Sequence, residues 1–141
     1  MATVYNTQVE ISLEPVGYPE VCISVGDRVI FNGVCNSPCV RMFNVDQELG
    51  SFTISVAMLN KEDNDPDTAI IIKSIKFNGI TDPKFLWQGV YYPEYPKHFF
   101  DRPKSLPGQT YISWNGVYQL TVTVPIFTWM HQTLDLGWVF E

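Results

Sequence analysis

The densest group of side chains able to do chemistry is Asn60-Lys61-Glu62-Asp63-Asn64-Asp65-Pro66-Asp67-Thr68. Four carboxylates and two carboxamides fall within nine positions. Carboxylates this close repel one another, so a folded chain must spread them, protonate some, or seat a cation among them. Calcium takes six to eight oxygen ligands in flexible geometry, and an Asn/Asp-rich segment offers both side-chain and carbonyl oxygens. The EF-hand spacing and its terminal Glu are absent. Asn, Asp and Pro are also good turn formers, so the same residues suit a solvated acidic hairpin that binds nothing.

Other chemistry is thinly represented. His98 and His131 stand apart in sequence, and there is no H-E-x-x-H, G-x-S-x-G or phosphate-loop pattern. Glu94, Asp82, Asp101 and Asp135 are the carboxylates from which a glycosidase pair would have to come. Carboxylates on a β-domain are usually surface groups, so no catalytic residues are assigned and the chain reads as a binding protein. Glycoside hydrolysis is kept as an alternative. Cys22, Cys35 and Cys39 leave one thiol over under any single-disulfide scheme. Cys35-Asn36-Ser37-Pro38-Cys39 can close a small loop, but zinc wants a fourth ligand and a two-residue spacing. Free, buried thiols are expected.

The elements that must position these groups are strands. Gln8–Leu13, Val21–Val25, Arg28–Phe31, Val40–Val45 and Ser51–Met58 alternate apolar and polar residues, with Gly26-Asp27 as a two-residue turn. Ala69–Phe77 is the longest strand expected, dense in isoleucine and closed by the Asn78-Gly79 turn signal. Val117–Val124 is a further strand, and Leu136–Phe140 a candidate closing one. No window of useful length has helical periodicity. The expected fold is all-β: an antiparallel two-sheet β-sandwich, jelly-roll-like, of about eight or nine strands, forming one domain over residues 1–141. From about residue 81 the composition turns aromatic and proline-rich. Tyr92–Pro96 and Arg102–Gly108 read as ordered irregular loops, since proline cannot donate to a ladder. Trp87-Gln88-Gly89-Val90-Tyr91 and Trp114-Asn115-Gly116-Val117-Tyr118 share the pattern W-x-G-V-Y. Two copies are too few for a repeat architecture, and similar local packing at two strands is the expectation.

Phe52 to Gly79 resembles the calcium-dependent xylan-binding type of carbohydrate-binding module. In that family a strand ending in Asn leads to an Asp/Gly-rich loop, an Asp opens the next strand, and I-x-x-I-x-x-N-G closes it. Ile72-Lys73-Ser74-Ile75-Lys76-Phe77-Asn78-Gly79 matches that ending, and Pro19–Asp27 is similar to the family's early strand and turn. The likeness covers roughly residues 8 to 80. Where family modules carry an Asp-Arg-Asn-type run, this chain has Asp67-Thr68-Ala69. The resemblance implies a Ca2+ ion held by Asn60, Asp63, Asp65 and Asp67, and a glycan partner whose sugar ring stacks on an aromatic face. Trp87, Tyr92 and Tyr95 are the candidate ligand-binding rings, and Trp114 lies in the same aromatic half.

With 45% hydrophobic and only 17% charged residues, the chain is globular and sparsely charged, which suggests surface covered by a partner. The net charge of -6 disfavours nucleic acid and anionic membranes. No apolar run approaches the ~20 residues of a membrane helix. Met1–Thr7 has no basic cap or apolar stretch, so synthesis in a cytoplasm without a signal peptide is expected. The apolar stretches Pro125–His131 and Leu136–Phe140 must close the sandwich or bury against another subunit. A structural or decoration protein of a bacterial virus, self-assembling or docked on another virion protein and adhering to glycans, is the alternative reading.

Overall fold

The computed structural model describes residues 3–59, 61, 68–94 and 103–134. Their strands are β1 (Val4–Val16), β2 (Glu20–Val25), β3 (Arg28–Val34), β4 (Cys39–Glu48), β5 (Gly50–Met58), β6 (Ala69–Phe77), β7 (Val90–Pro93), β8 (Leu106–Pro107), β9 (Tyr111–Ile112) and β10 (Gly116–Val124). Two short helices, α1 (Pro83–Trp87) and α2 (Ile126–Thr133), complete the set. One sheet has the order β4-β1-β6-β9 and the other β3-β2-β5-β10-β7-β8, and every pairing is antiparallel. This is the expected two-sheet sandwich.

Period-two alternation builds the core between the sheets. Val9, Ile11, Leu13, Phe43, Ile70, Ile72, Ile75 and Phe77 point in from one sheet. Val21, Ile23, Ile54, Val56, Met58, Leu120 and Val122 point in from the other. Truncating a side chain such as Ile54 to alanine would cost about 2–5 kcal/mol through lost burial and the cavity left behind. The opposite face of the six-stranded sheet carries Ser24, Ser55, Thr53, Gln119, Thr121 and Thr123, all uncharged. The Thr53 and Thr121 hydroxyls hydrogen-bond across the strands at 2.7 Å.

Three local departures from the sequence reading have physical causes. β1, not β6, is the longest strand, because it pairs β4 over Val4–Leu13 and β6 over Val9–Val16, two spans that overlap only in its middle. Tyr92 and Pro93 belong to a strand rather than an irregular loop. Pro93 is the last residue of β7, where its missing N–H interrupts nothing further along the strand. Residues 126–133 form a helix whose Ile126, Trp129 and Met130 are buried at the i, i+3, i+4 spacing. The repeat runs for barely two turns, too short to stand out in the sequence. Trp129 packs on Phe77 and Phe85 with ring centroids 5.4 and 5.2 Å away, so α1 and α2 close one end of the sandwich. Pro83 at the first turn of α1 and Asp82, whose carboxylate accepts from the Lys84 amide at 2.9 Å, start that helix. The Leu136–Phe140 strand proposal lies outside the described residues.

The W-x-G-V-Y echo turns out to be a pair of facing segments. Tyr91 on β7 is the register partner of Tyr118 on β10. The Tyr118 hydroxyl donates to the Leu86 carbonyl at 2.7 Å, and burial pushes its phenol far above the usual value, so it stays a donor. The Tyr91 hydroxyl reaches back to Trp114 in the other copy. Each glycine makes room for the opposing copy. A Cβ on Gly89 would sit 2.2 Å from the Tyr118 ring, and one on Gly116 would sit 2.3 Å from the Tyr92 carbonyl oxygen. Gly116 also has φ +147°, whereas Gly26 (φ +55°) has open space around its Cβ direction. Gly116→Ala is therefore expected to lower the unfolding free energy by about 2–4 kcal/mol, and Gly26→Ala by about 1 kcal/mol. Urea denaturation checks the ranking, and equal losses would contradict the close approach of β7 to β10.

Candidate functional site

The strand registers place one end of β1, β2, β5, β6, β7 and β10 together. Val16 pairs Ala69, Met58 pairs both Val21 and Gly116, and Gly116 pairs Pro93. The acidic segment connects β5 to β6 at this end, away from the helices. Asn60, Asp63, Asp65 and Asp67, the expected calcium ligands, lie outside the described residues, as does Tyr95. What the structure describes is how the two sides of that segment are held.

A relay of hydrogen bonds runs from the core to the neck of the segment. Buried Tyr91 donates its hydroxyl to the Trp114 carbonyl at 2.5 Å and accepts the Trp114 amide at 3.0 Å. This fixes the turn before β10 and with it Asn115. The Asn115 side chain then grips the backbone of Lys61 from both sides. Its Oδ1 accepts the Lys61 amide at 2.7 Å and its Nδ2 donates to the Lys61 carbonyl at 3.0 Å. Asn115 is itself tied by its carbonyl to the Glu94 amide at 2.7 Å. Next to it the Leu59 amide donates to the Glu20 carbonyl at 3.0 Å, so both sides of position 60 are anchored to the six-stranded sheet.

Lys61 is only 7% exposed. A buried ammonium needs partners. Its Nζ donates to the Thr68 carbonyl at 2.9 Å and sits 4.9 Å from the centre of the Trp114 ring, a favourable cation–π distance. The side chain of Lys61 thus bridges the two residues that flank positions 62–67. Thr68 is hemmed from the other side by Gly17, where a Cβ would lie 3.2 Å from the threonine hydroxyl.

The candidate rings are distributed unevenly. Tyr92, 43% exposed, stands on the outer face of β7 opposite Val117, one residue from the Pro93–Gly116 pair, and so at the acidic end. Trp87, 59% exposed, ends α1 beside Gly108. Phe85 of the same helix packs on Phe77, the last residue of β6, while Leu86 lies beside Lys73 and Ser74 midway along that strand. The tryptophan brought to the neck is Trp114. Close by, a depression of about 170 Å³ is lined by Ala57, Met58, Leu59, Glu94, Asn115, Gly116 and Val117. A larger one, of about 410 Å³, lies at the opposite end between Arg28, Asp46 and Phe52. There Arg28 donates to the Asn44 carbonyl and Asp46 accepts from Asn6, so its charged groups already have local partners.

Among the described residues no group of three or more His, Cys, Asp or Glu side chains is placed to hold a metal. The side chains between Lys61 and Thr68 include four carboxylates and a carboxamide, oxygen donors of the kind calcium takes. Of the glycosidase carboxylates, Asp82 caps α1 and Glu94 borders the depression at the acidic end, in separate places. Asp101 and Asp135 lie outside the described residues. The three thiols are free; Cys35 is buried and the other two are half-buried.

Sequence reading gave Lys61 and Asn115 no role, and saw Tyr91 only as one of the aromatic residues of the irregular half. One signal was available: the two W-x-G-V-Y copies differ at x, with Gln88 in one and Asn115 in the other, and the Asn is the copy at the acidic end. The single lysine inside an acidic run was the other.

Two solved structures share this architecture. One is the selenomethionine form of vCBM60, described with the words "circular permutation provides an evolutionary link between two families of calcium-dependent carbohydrate binding modules". It is 15% identical with a TM-score of 0.55, over 81% of this chain and 89% of that one. The other is vCBM60 in complex with galactobiose, 15% identical with a TM-score of 0.56, over 82% of this chain and 99% of that one. At this identity the likeness establishes a shared β-sandwich fold. No protein-family profile and no curated relative matches the sequence.

Asn115→Ala removes both bonds to the Lys61 backbone and leaves part-buried polar groups unpaired. It is expected to cost about 1–3 kcal/mol and to speed amide exchange at Leu59 and Lys61 selectively. Hydrogen exchange read by mass spectrometry checks this, and unchanged exchange at those amides would contradict the clamp.

Proposed function

We propose that the chain is a non-catalytic glycan-binding module whose binding end is the acidic end of the sandwich, assisted by calcium. The observation that carries the reading is the built neck. A buried relay of Tyr91, Trp114, Asn115 and Lys61 holds a segment rich in oxygen donors at the end of a sheet. A fully satisfied polar network rigidifies what it holds, so the segment leaves the sheet from a fixed neck. The fold shared with vCBM60, one of whose structures contains galactobiose, supports the same assignment.

In this reading Asn60, Asp63, Asp65 and Asp67 hold the ion, which supplies a hard Lewis-acidic centre for vicinal sugar hydroxyls. Every other contribution comes from the chain. Asn115 and Lys61 fix the neck, so that the donors lose less conformational freedom on binding. Tyr92 offers an exposed ring at the same end for the apolar face of a pyranose. Trp87, exposed at the end of α1 beside Gly108, is a further ring open to a longer ligand.

The test is an array of galactose- and xylose-based oligosaccharides probed with and without a calcium chelator. The expected outcome is a set of hits that weaken at least about tenfold on chelation, with Tyr92→Ala weakening the same hits by a similar factor. Binding indifferent to the chelator would remove calcium from the reading. An array with no hits in either condition would remove the glycan.

A further inference from the structure

We propose that Cys35 and Cys39 form a reversible redox pair, closing to an intrachain disulfide when a small-molecule disulfide such as oxidised glutathione is available. The two Sγ atoms lie 3.4 Å apart, in direct contact. A disulfide bond is about 2.05 Å long, so closure asks for an approach of roughly 1.4 Å, within the reach of side-chain rotation and a slight loop adjustment. The backbone around the pair is already fixed. The Cys35 amide donates to the Pro19 carbonyl at 2.8 Å, and Cys39 opens β4 opposite Leu13. Because β3 belongs to one sheet and β4 to the other, the bond would staple the corner where the chain crosses between them.

The third thiol is out of reach. Cys22 alternates with buried Val21 and Ile23 and so faces the outer side of its sheet, whereas Cys35 sits in the core and Cys39 packs against it. The fold thus chooses one pairing among the three that three cysteines allow.

The two thiols have unequal roles. Cys39 is the less buried, so its thiolate attacks one sulfur of the small disulfide, forming a mixed disulfide and expelling one small thiolate. Cys35 then gives up its proton and attacks the Cys39 sulfur, expelling the second small thiolate. Two protein thiols are oxidised, one small disulfide is reduced to two thiols, and the two protons lost from the protein end on those products. Burial and the neighbouring Cys39 push the Cys35 thiol up to about 11, which keeps it protonated and unreactive toward solvent reagents at neutral pH. Its use is as the resolving partner of a sulfur it already touches. Nothing in this device depends on the glycan reading.

The test treats the native full chain with oxidised glutathione and follows its mass. The expected product is lighter by about 2 Da, the two hydrogens lost, carries no glutathione and returns to the starting mass with excess dithiol. Peptide mapping is expected to join Cys35 to Cys39 in the wild type and in Cys22→Ser, and Cys39→Ser to leave Cys35 unmodified. At a fixed glutathione ratio the folded chain should close the pair at least about tenfold more readily than the urea-unfolded chain. No mass change, a stable glutathione adduct, a crosslink through Cys22, or equal closure in the unfolded chain would each overturn the proposal.

Discussion

Lys61 is the point on which the acidic end depends. Its backbone is gripped by Asn115, and its ammonium is shared between the Thr68 carbonyl and the Trp114 ring. Six residues carrying four carboxylates must leave from Lys61 and return to Thr68, two positions linked by the lysine side chain. The geometry sets an electrostatic problem. Lys61 supplies one buried cation at the neck, against four carboxylates in the six residues that follow it. The proposed calcium ion is the answer that also gives the end of the sandwich something to do.

The rest of the fold serves that neck. Tyr91 can reach Trp114 only because β7 lies against β10, and β7 can lie there only because Gly89 and Gly116 carry no side chain. The W-x-G-V-Y echo is thus one contact written twice. Each tyrosine takes its hydroxyl to the other copy's tryptophan or to the residue before it, and each glycine clears the space. The helices secure the opposite end through Phe77, Phe85 and Trp129, leaving the acidic end free of helical cover among the described residues.

Most of the strands were legible because alternation in half-buried strands is a direct imprint of burial. β6 and the Asn78-Gly79 turn coincide with the sequence reading, and β5 and β10 differ from it by one residue each. The helix at 126–133 was hidden because two turns give too few repeats of the 3.6 period. Tyr92-Pro93 was read as loop because proline weakens any strand signal, although the end of a strand tolerates it. The neck residues were illegible for a different reason. Asn115 lies 54 positions from Lys61, and nothing in a single sequence says that a carboxamide and a distant backbone will meet. Tyr92 was chosen for its setting among prolines and Trp87 by residue type, and both rings are exposed, one on β7 and the other at the end of α1.

The account stands or falls on whether the carboxylates between Lys61 and Thr68 take up a divalent ion. The direct measurement is calorimetric titration of calcium into the chelator-stripped chain, beside a variant with Asp63, Asp65 and Asp67 changed to Asn. The account predicts one site per chain, with a dissociation constant between about 10⁻⁶ and 10⁻³ M, and no binding heat in the variant. A flat titration of the wild-type chain, or one the variant reproduces, would contradict it.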